Sequence, residues 1–214
     1  MRLFSYIVAR DYGFAPNPFH GYCTLATCKP KIRVAAAVGD WVVGTGAKTK
    51  YGFSGRLIYA MQVGEVLDFD SYWNDPRFAF KRPISNGSLK QIYGDNIYHR
   101  RRGRWMQADS HHSLEGGAPN PDNIAWDTGV NRVLVSTRYV YFGSEAPAIP
   151  KRFRPYQATA KDICCSARGH RIHSAELARA FEKWLEERGA WGLRGMPLEF
   201  PKHKRASKQI SGRP

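Results

Sequence analysis

The sequence predicts an α+β fold that is mainly β: a barrel with peripheral helices and one amphipathic helix toward the C-terminus. Three observations predict it. Runs of β-branched and aromatic residues recur from Arg2 to Phe142, separated by stretches rich in Gly, Pro and Asn. Two of them, in Val38–Gly46 and Gly55–Val66, are joined by a glycine-containing basic connection, as in a barrel whose mouth holds a ligand. Clear helical periodicity appears in His173–Arg188, HSAELARAFEKWLEER.

Taken in order, Arg2–Ala9 (RLFSYIVA) is a largely buried strand, because it is almost continuous in β-formers. Arg10–Arg33 is a long ordered loop whose Tyr12, Phe14, Phe19 and Tyr22 either cover the end of the barrel or stack on a ligand. A Gly39-Asp40 turn feeds a strand broken at Gly44 and Gly46, where a missing Cβ allows a bulge or the close approach of a ligand. Phe69–Phe80 opens as a helical turn capped by Asp70 or Ser71 and stopped by Pro76. Lys81–Lys90 and Gly116–Asp127 (GGAPNPDNIAWD) are loops, and Arg132–Phe142 carries the strongest strand signal, buried on both faces or bent at Ser136-Thr137. In the C-terminal helix Ser174 is the N-cap, Leu177, Phe181, Trp184 and Leu185 form the apolar stripe that packs on the barrel, and Gly189 is the stop. The expected organisation is a domain over 1–150, an extension over 151–200 and a disordered basic tail over 201–214.

The 214 residues are 43% hydrophobic and 13% aromatic, the composition of a folded protein, and carry a formal net charge of +15. Such an excess favours polyanions, so nucleic acid (DNA foremost) or a nucleotide is the expected partner. No apolar run approaches the ~20 residues of a membrane span, and the opening residues turn charged too soon for a signal peptide. Four cysteines do not make a disulfide framework. The expectation is a soluble cytoplasmic protein without a membrane partner. Cofactor and oligomeric state are left open.

Groups able to move protons concentrate in Gly94–Ser113, GDNIYHRRRGRWMQADSHHS. Asp95, Asn96, Tyr98 and His99 precede a basic core of Arg100, Arg101, Arg102 and Arg104; Asp109, Ser110, His111 and His112 follow it. A hairpin about Arg102-Gly103 would bring these two arms together. An Asp–His pair would then act as general base and orienter, with the arginines on a phosphate and Ser110 as a possible nucleophile.

GFAPNPFHGYCTLATCKPKIR, VGDWVVGTG, FDSYWNDPRFAFKRP, GDNIYH, ADSHHS and RVLVSTRYVYFG, in this order, resemble the second nucleotide-modification-associated domain family over roughly Met1–Pro150. The resemblance implies a place in phage or bacterial systems that hypermodify DNA bases, with the base-modifying enzymes of such a system as possible partners. A fainter similarity, carried by VGDWVVGTG and GRLIYAMQVGEV, is to PUA-like barrels of the EVE, ASCH and YTH kind, which hold a base against aromatic walls. That likeness implies a pocket at Trp41 to Lys48.

The favoured function is therefore recognition of a nucleobase or nucleotide, modified or flipped from the stack, within a base-modification or defence system. Phe14, Trp41, Tyr51, Phe53, Tyr98 and Trp105 are candidate stackers; Asn17, Asn96 and Gln107 are candidate readers of base edges, and Thr45 is a further candidate contact. Lys48, Lys50 and the four arginines are candidate phosphate contacts. Trp41, set in a strand, fits a core role at least as well. The alternatives are an enzyme that modifies the base through Asp95, His99, Asp109, Ser110 and His111, and a DNA-binding scaffold subunit. Cys23, Cys28, Cys165, His170 and His173 could be assembled into a zinc site, but their spacing departs from zinc knuckles, and the expectation is no metal. GTGAKTK lacks the spacing of a P-loop, which excludes that mode of ATP hydrolysis.

Overall fold

The computed structural model describes residues 1–48, 52–156, 162–165 and 169–202. Its strands and α-helices in chain order are β1 (Leu3–Val8), β2 (Cys23–Leu25), α1 (Pro30–Ala35), β3 (Trp41–Gly46), β4 (Leu57–Gln62), β5 (Glu65–Leu67), α2 (Phe69–Asn74), α3 (Leu89–Ile92), β6 (Tyr98–Arg101), β7 (Arg104–Gln107), α4 (Pro121–Thr128), β8 (Val133–Ser136), β9 (Tyr139–Tyr141), β10 (His170–His173), α5 (Ala175–Arg188) and β11 (Gly192–Leu193). They form a six-stranded sheet in the order β10-β1-β3-β4-β9-β11, a three-stranded sheet β2-β8-β5, and the hairpin β6-β7. The fold is mixed α/β, mainly sheet.

These sheets do not close into the expected PUA-like barrel. The reason lies in Arg132–Phe142, which bends instead of running as one strand. Ser136 donates its hydroxyl to the Arg138 carbonyl at 2.9 Å, so β8 joins the small sheet and β9 the large one. β1 also pairs with β3 in parallel, which requires a crossover and carries β2 and α1 between them in sequence. The β3–β4 pairing register shifts between Gly44 and Thr45. Close approach there is by the Tyr59 ring and Val8, since a Cβ on Gly44 would stand 2.6 Å from the Val8 side chain.

The C-terminal helix forms as its local signals dictate. Ser174 Oγ accepts from Leu177 N–H at 3.3 Å, and Gly189 ends the helix at φ 60°. Leu177, Phe181, Trp184 and Leu185 are buried in the same core as Leu3, Phe4, Trp41 and Tyr59. β10, just before the helix, pairs with β1 as an edge strand. The tail over 203–214 lies outside the described residues.

A second core, formed by Phe14, Phe69, Tyr72, Phe78, Tyr98 and Val133 among others, supports the hairpin from below. It turns about Arg102 and Gly103 (φ 51° and 77°), with Arg101 opposite Arg104 and Tyr98 opposite Gln107. This register sorts the hairpin's side chains, because alternate residues face opposite sides of the ribbon.

Candidate active site

After β2 the chain reverses sharply into α1. Cys28 and Lys29, neither a glycine, are both left-handed there (φ 57° and 43°), a local strain that the surroundings must hold in place. The hold is visible. Cys28 N–H donates to Asp127 Oδ1 at 2.7 Å, and the Cys28 carbonyl accepts from Arg33 Nε at 2.9 Å. Arg33, a fully buried α1 residue, also donates to the carbonyls of Asp127 (2.6 Å), Val130 (2.7 Å) and Arg132 (2.7 Å). One guanidinium thus ties the Cys28 turn to the end of α4.

Asp127, itself fully buried, faces His112. His112 Nδ1 lies 2.9 Å from Asp127 Oδ2, and its Nε2 lies 3.7 Å from Cys28 Sγ. Tyr98 donates its hydroxyl to Asp127 Oδ2 at 3.0 Å, so that oxygen is an acceptor and His112 donates from Nδ1. Gln107 Nε2 donates to the Tyr98 hydroxyl (3.2 Å) and to the His112 carbonyl (3.3 Å), and Asn123 Nδ2 donates to the same carbonyl at 2.8 Å. Burial pulls the His112 pKa down. The hydrogen bonds to Asp127 and Cys28 outweigh it, and the imidazole is pushed up to about 9. A thiol, an imidazole and a carboxylate are thus in successive contact, an arrangement of the kind that covalent catalysis uses.

The series opens into a cavity of about 680 Å³. Tyr6, Val8, Tyr12, Phe14 and Trp126 supply apolar and aromatic wall; Arg10, Lys29 and Lys31 supply positive charge, and no carboxylate lines it among the described residues. His111 shares this wall, packed on Tyr12 (4.5 Å between centroids) and Phe14 (5.4 Å). Burial of its ring, then the charges of His112 and Arg10, push its pKa down to about 4. Two adjacent histidines thus carry different charges near neutrality.

Of the expected site residues, Phe14 lies on the cavity wall, 4.7 Å from the His112 ring centroid, and Tyr98 anchors Asp127. The hairpin does not unite the Asp95/His99 arm with Asp109 and His111. Asp95 is buried and accepts from Thr24 Oγ1 (2.6 Å) and the Tyr72 hydroxyl (2.8 Å), whereas His99 stacks on Trp73 at 4.0 Å on the ribbon's other side. Asp109 is exposed; Ser110 hydrogen-bonds within its own turn to Ser113 and the His112 N–H. Asn17 accepts from Lys81 Nζ at 2.6 Å, and Asn96, also buried, donates to the carbonyls of Tyr72 and Phe78 while its Oδ1 has no hydrogen-bond partner among the described residues. Trp41 and Thr45 are buried in β3, with the Thr45 hydroxyl on the Tyr6 carbonyl. Trp105 lies under Arg100, whose guanidinium is 4.3 Å above the ring, and Arg101, Arg102 and Arg104 are exposed on the hairpin tip. Lys48 is exposed, and Lys50 lies outside the described residues.

Of the cysteine and histidine candidates for zinc, Cys165 and His173 both lie against Ser5, and the others are placed elsewhere. Cys23 is buried in β2; Cys165 Sγ is 3.3 Å from the Ser5 carbonyl, and His173 Nε2 is 2.8 Å from Ser5 Oγ. His170 reaches the cavity rim. Among the described residues no group of three or more His, Cys, Asp or Glu is placed to hold a metal ion. No helix there is long and apolar enough to cross a membrane.

Sequence reasoning missed Asp127, Arg33 and the pairing of Cys28 with His112. The signal for the first was present: Asn120 caps α4 by accepting from Asp122 N–H and Asn123 N–H, with Pro121 in the first turn. The glycines and prolines ahead of that cap disguised a helix as loop. Cys28-Lys29-Pro30 similarly places proline where a helix can begin.

No curated protein matches this chain, and no solved structure does either. The family model described as nucleotide modification associated domain 2 matches residues 1–204, nearly the whole chain. The protein thus belongs to the nucleotide modification associated domain 2 family.

Proposed function

We propose that this protein is an enzyme of a nucleotide-modification system that works by covalent catalysis. Cys28 is the nucleophile, His112 takes its proton, and Asp127 holds the imidazole in the tautomer that does so. The observation that carries this reading is the Cys28–His112–Asp127 line opening into the cavity. The ligand we assign to the cavity is a nucleotide, free or within a DNA strand. Its ring would lie against Tyr12, Phe14 or Trp126 and its phosphate near Arg10 and Lys31. The exposed arginines of the hairpin tip would carry flanking phosphates.

Iodoacetamide labelling followed by peptide mass spectrometry tests the nucleophile. Cys28 should be alkylated at pH 7 at least ~10-fold faster than Cys165, and His112→Ala should slow Cys28 roughly 10²-fold. Equal rates at the two thiols would remove covalent catalysis from consideration.

A second reading, recognition of a base without chemistry, is favoured by the aromatic and cationic lining alone. Titrating Trp126 fluorescence with plain and base-modified oligonucleotides separates the two. Under recognition, base preference persists at high salt while Cys28 shows no special reactivity. A scaffold subunit would instead bind without base preference and release with salt.

A further inference from the structure

We infer that Lys29 is a catalytic residue of this site: its ammonium group receives the oxyanion formed when Cys28 adds to a carbonyl carbon, so the cavity's electrophile is an acyl group, an amide or an ester. The inference rests on Cys28 being the nucleophile. Addition of a thiolate to a carbonyl moves a full charge onto oxygen, and a preorganised donor must meet it. Backbone N–H groups at the nucleophile ordinarily serve. Here the Cys28 N–H is already given to Asp127 Oδ1 at 2.7 Å, and releasing it would loosen the carboxylate that orients His112. Pro30 has no N–H to offer.

Two donors then remain at this turn, the Lys29 backbone N–H and the Lys29 ammonium, and the ammonium is the one that brings a charge to the cavity. Lys29 lines the same cavity as Cys28, with its Nζ 4.6 Å from the centroid of the Tyr6 ring that forms the wall. The side chain is half-buried, burial lowers its pKa against the opposing pull of both Cys28 and Cys165, and among the described residues no carboxylate lines the cavity to neutralise it. An ammonium held this way in a partly dry site is unbalanced until an anion arrives. The anion need not come with the substrate, because the reaction makes one next to it.

The step balances as acyl transfer. The Cys28 sulfur forms a bond to the carbonyl carbon, and the C=O π pair moves to oxygen, opposite the Lys29 ammonium. On collapse that pair re-forms C=O, the bond to the amine or alcohol breaks, and the leaving group takes the proton His112 had received from Cys28. Water, with His112 as base, then cleaves the thioester and returns the thiol. Displacement at a saturated carbon would need neither an oxyanion partner nor this placement of Lys29.

Two probes separate the steps. p-Nitrophenyl acetate acylates through an oxyanion; iodoacetamide alkylates the same sulfur without one. In Lys29→Met the acylation burst should fall ~10²- to 10³-fold while alkylation of Cys28 changes by less than about threefold, and Lys29→Arg should recover part of the burst. Retained alkylation is also the control for folding. Parallel loss of both reactions would mean that Lys29 acts on the thiol, and an unchanged burst would mean that a backbone donor serves; either overturns the inference. If neither probe marks Cys28 in the unsubstituted protein, the nucleophile assignment itself has failed, and Lys29 falls with it.

Discussion

Asp95 and Asp127 are both fully buried, and each accepts a tyrosine hydroxyl, from Tyr72 at 2.8 Å and from Tyr98 at 3.0 Å. Their other neighbours differ. Asp95 also accepts from Thr24, and the nearby cation is Lys81, fully buried, whose Nζ donates to Asn17 Oδ1 (2.6 Å) and the carbonyls of Asn17 (3.1 Å) and Tyr22 (3.0 Å). Every one of those groups belongs to the protein, and the network staples the Arg10–Arg33 loop to the segment before the hairpin. Asp127 instead faces an imidazole whose far nitrogen meets a thiol in a cavity. A buried carboxylate becomes chemistry when its partner can change protonation and reaches space a ligand can enter; otherwise it is a fastener.

Substitution should separate the two carboxylates. Asp95→Ala leaves Lys81 buried without its counter-charge and should cost about 3–5 kcal/mol in urea unfolding, while the alkylation rate of Cys28 per folded molecule stays unchanged. Asp127→Asn should do the reverse: a smaller stability loss, and a Cys28 alkylation rate lower by roughly 10²-fold because the amide presents the wrong tautomer partner to His112. If both variants lost reactivity in proportion to stability, the distinction between fastener and relay would collapse.

Titration sharpens the contrast, because the two regions have opposite signs. The folded His112 pKa of about 9 lies above its ordinary 6.5, so the stability it contributes is complete below pH ~6.5 and is lost as pH rises through 9, by at most roughly 3 kcal/mol. Burial holds Lys81 down to about 8 against an ordinary 10.5, so between those values the unfolded chain binds the extra proton and stability rises with pH. Thermal unfolding of the unsubstituted protein should therefore weaken between pH 6.5 and 8, and His112→Gln should flatten that limb. An unchanged slope in His112→Gln would remove His112 as its cause.

The smallest effect belongs to the exposed hairpin tip. Arg102→Ala should alter stability by less than ~0.5 kcal/mol yet lower the salt slope of oligonucleotide binding by about one unit. An unaltered slope would mean that this tip does not touch phosphate.

Legibility in the sequence tracks the range of the interactions. Ser174, the Leu177–Phe181–Trp184–Leu185 stripe and Gly189 specify α5 from within a few residues of one another, and Arg102-Gly103 specifies a hairpin. Within that hairpin the strand period sends Tyr98 toward Asp127 and His99 toward Trp73, so a cluster dense in acid–base groups divides between two faces. β8 and β9 show the limit of strand signals. A run of β-formers announces extended chain, but which sheet each half joins depends on partners distant in sequence.

By itself, then, the sequence determined the long strands β1, β3 and β4, the C-terminal helix, the basic charge and the family motifs, because propensity, capping and turn chemistry act between neighbours. The meeting of Cys28, His112 and Asp127 was decided only by tertiary structure. Cys28 and His112 are 84 residues apart, and Cys28 and Asp127 are 99 apart. They meet because the buried Arg33 guanidinium, requiring an acceptor for each N–H, draws the end of α4 onto the turn before α1.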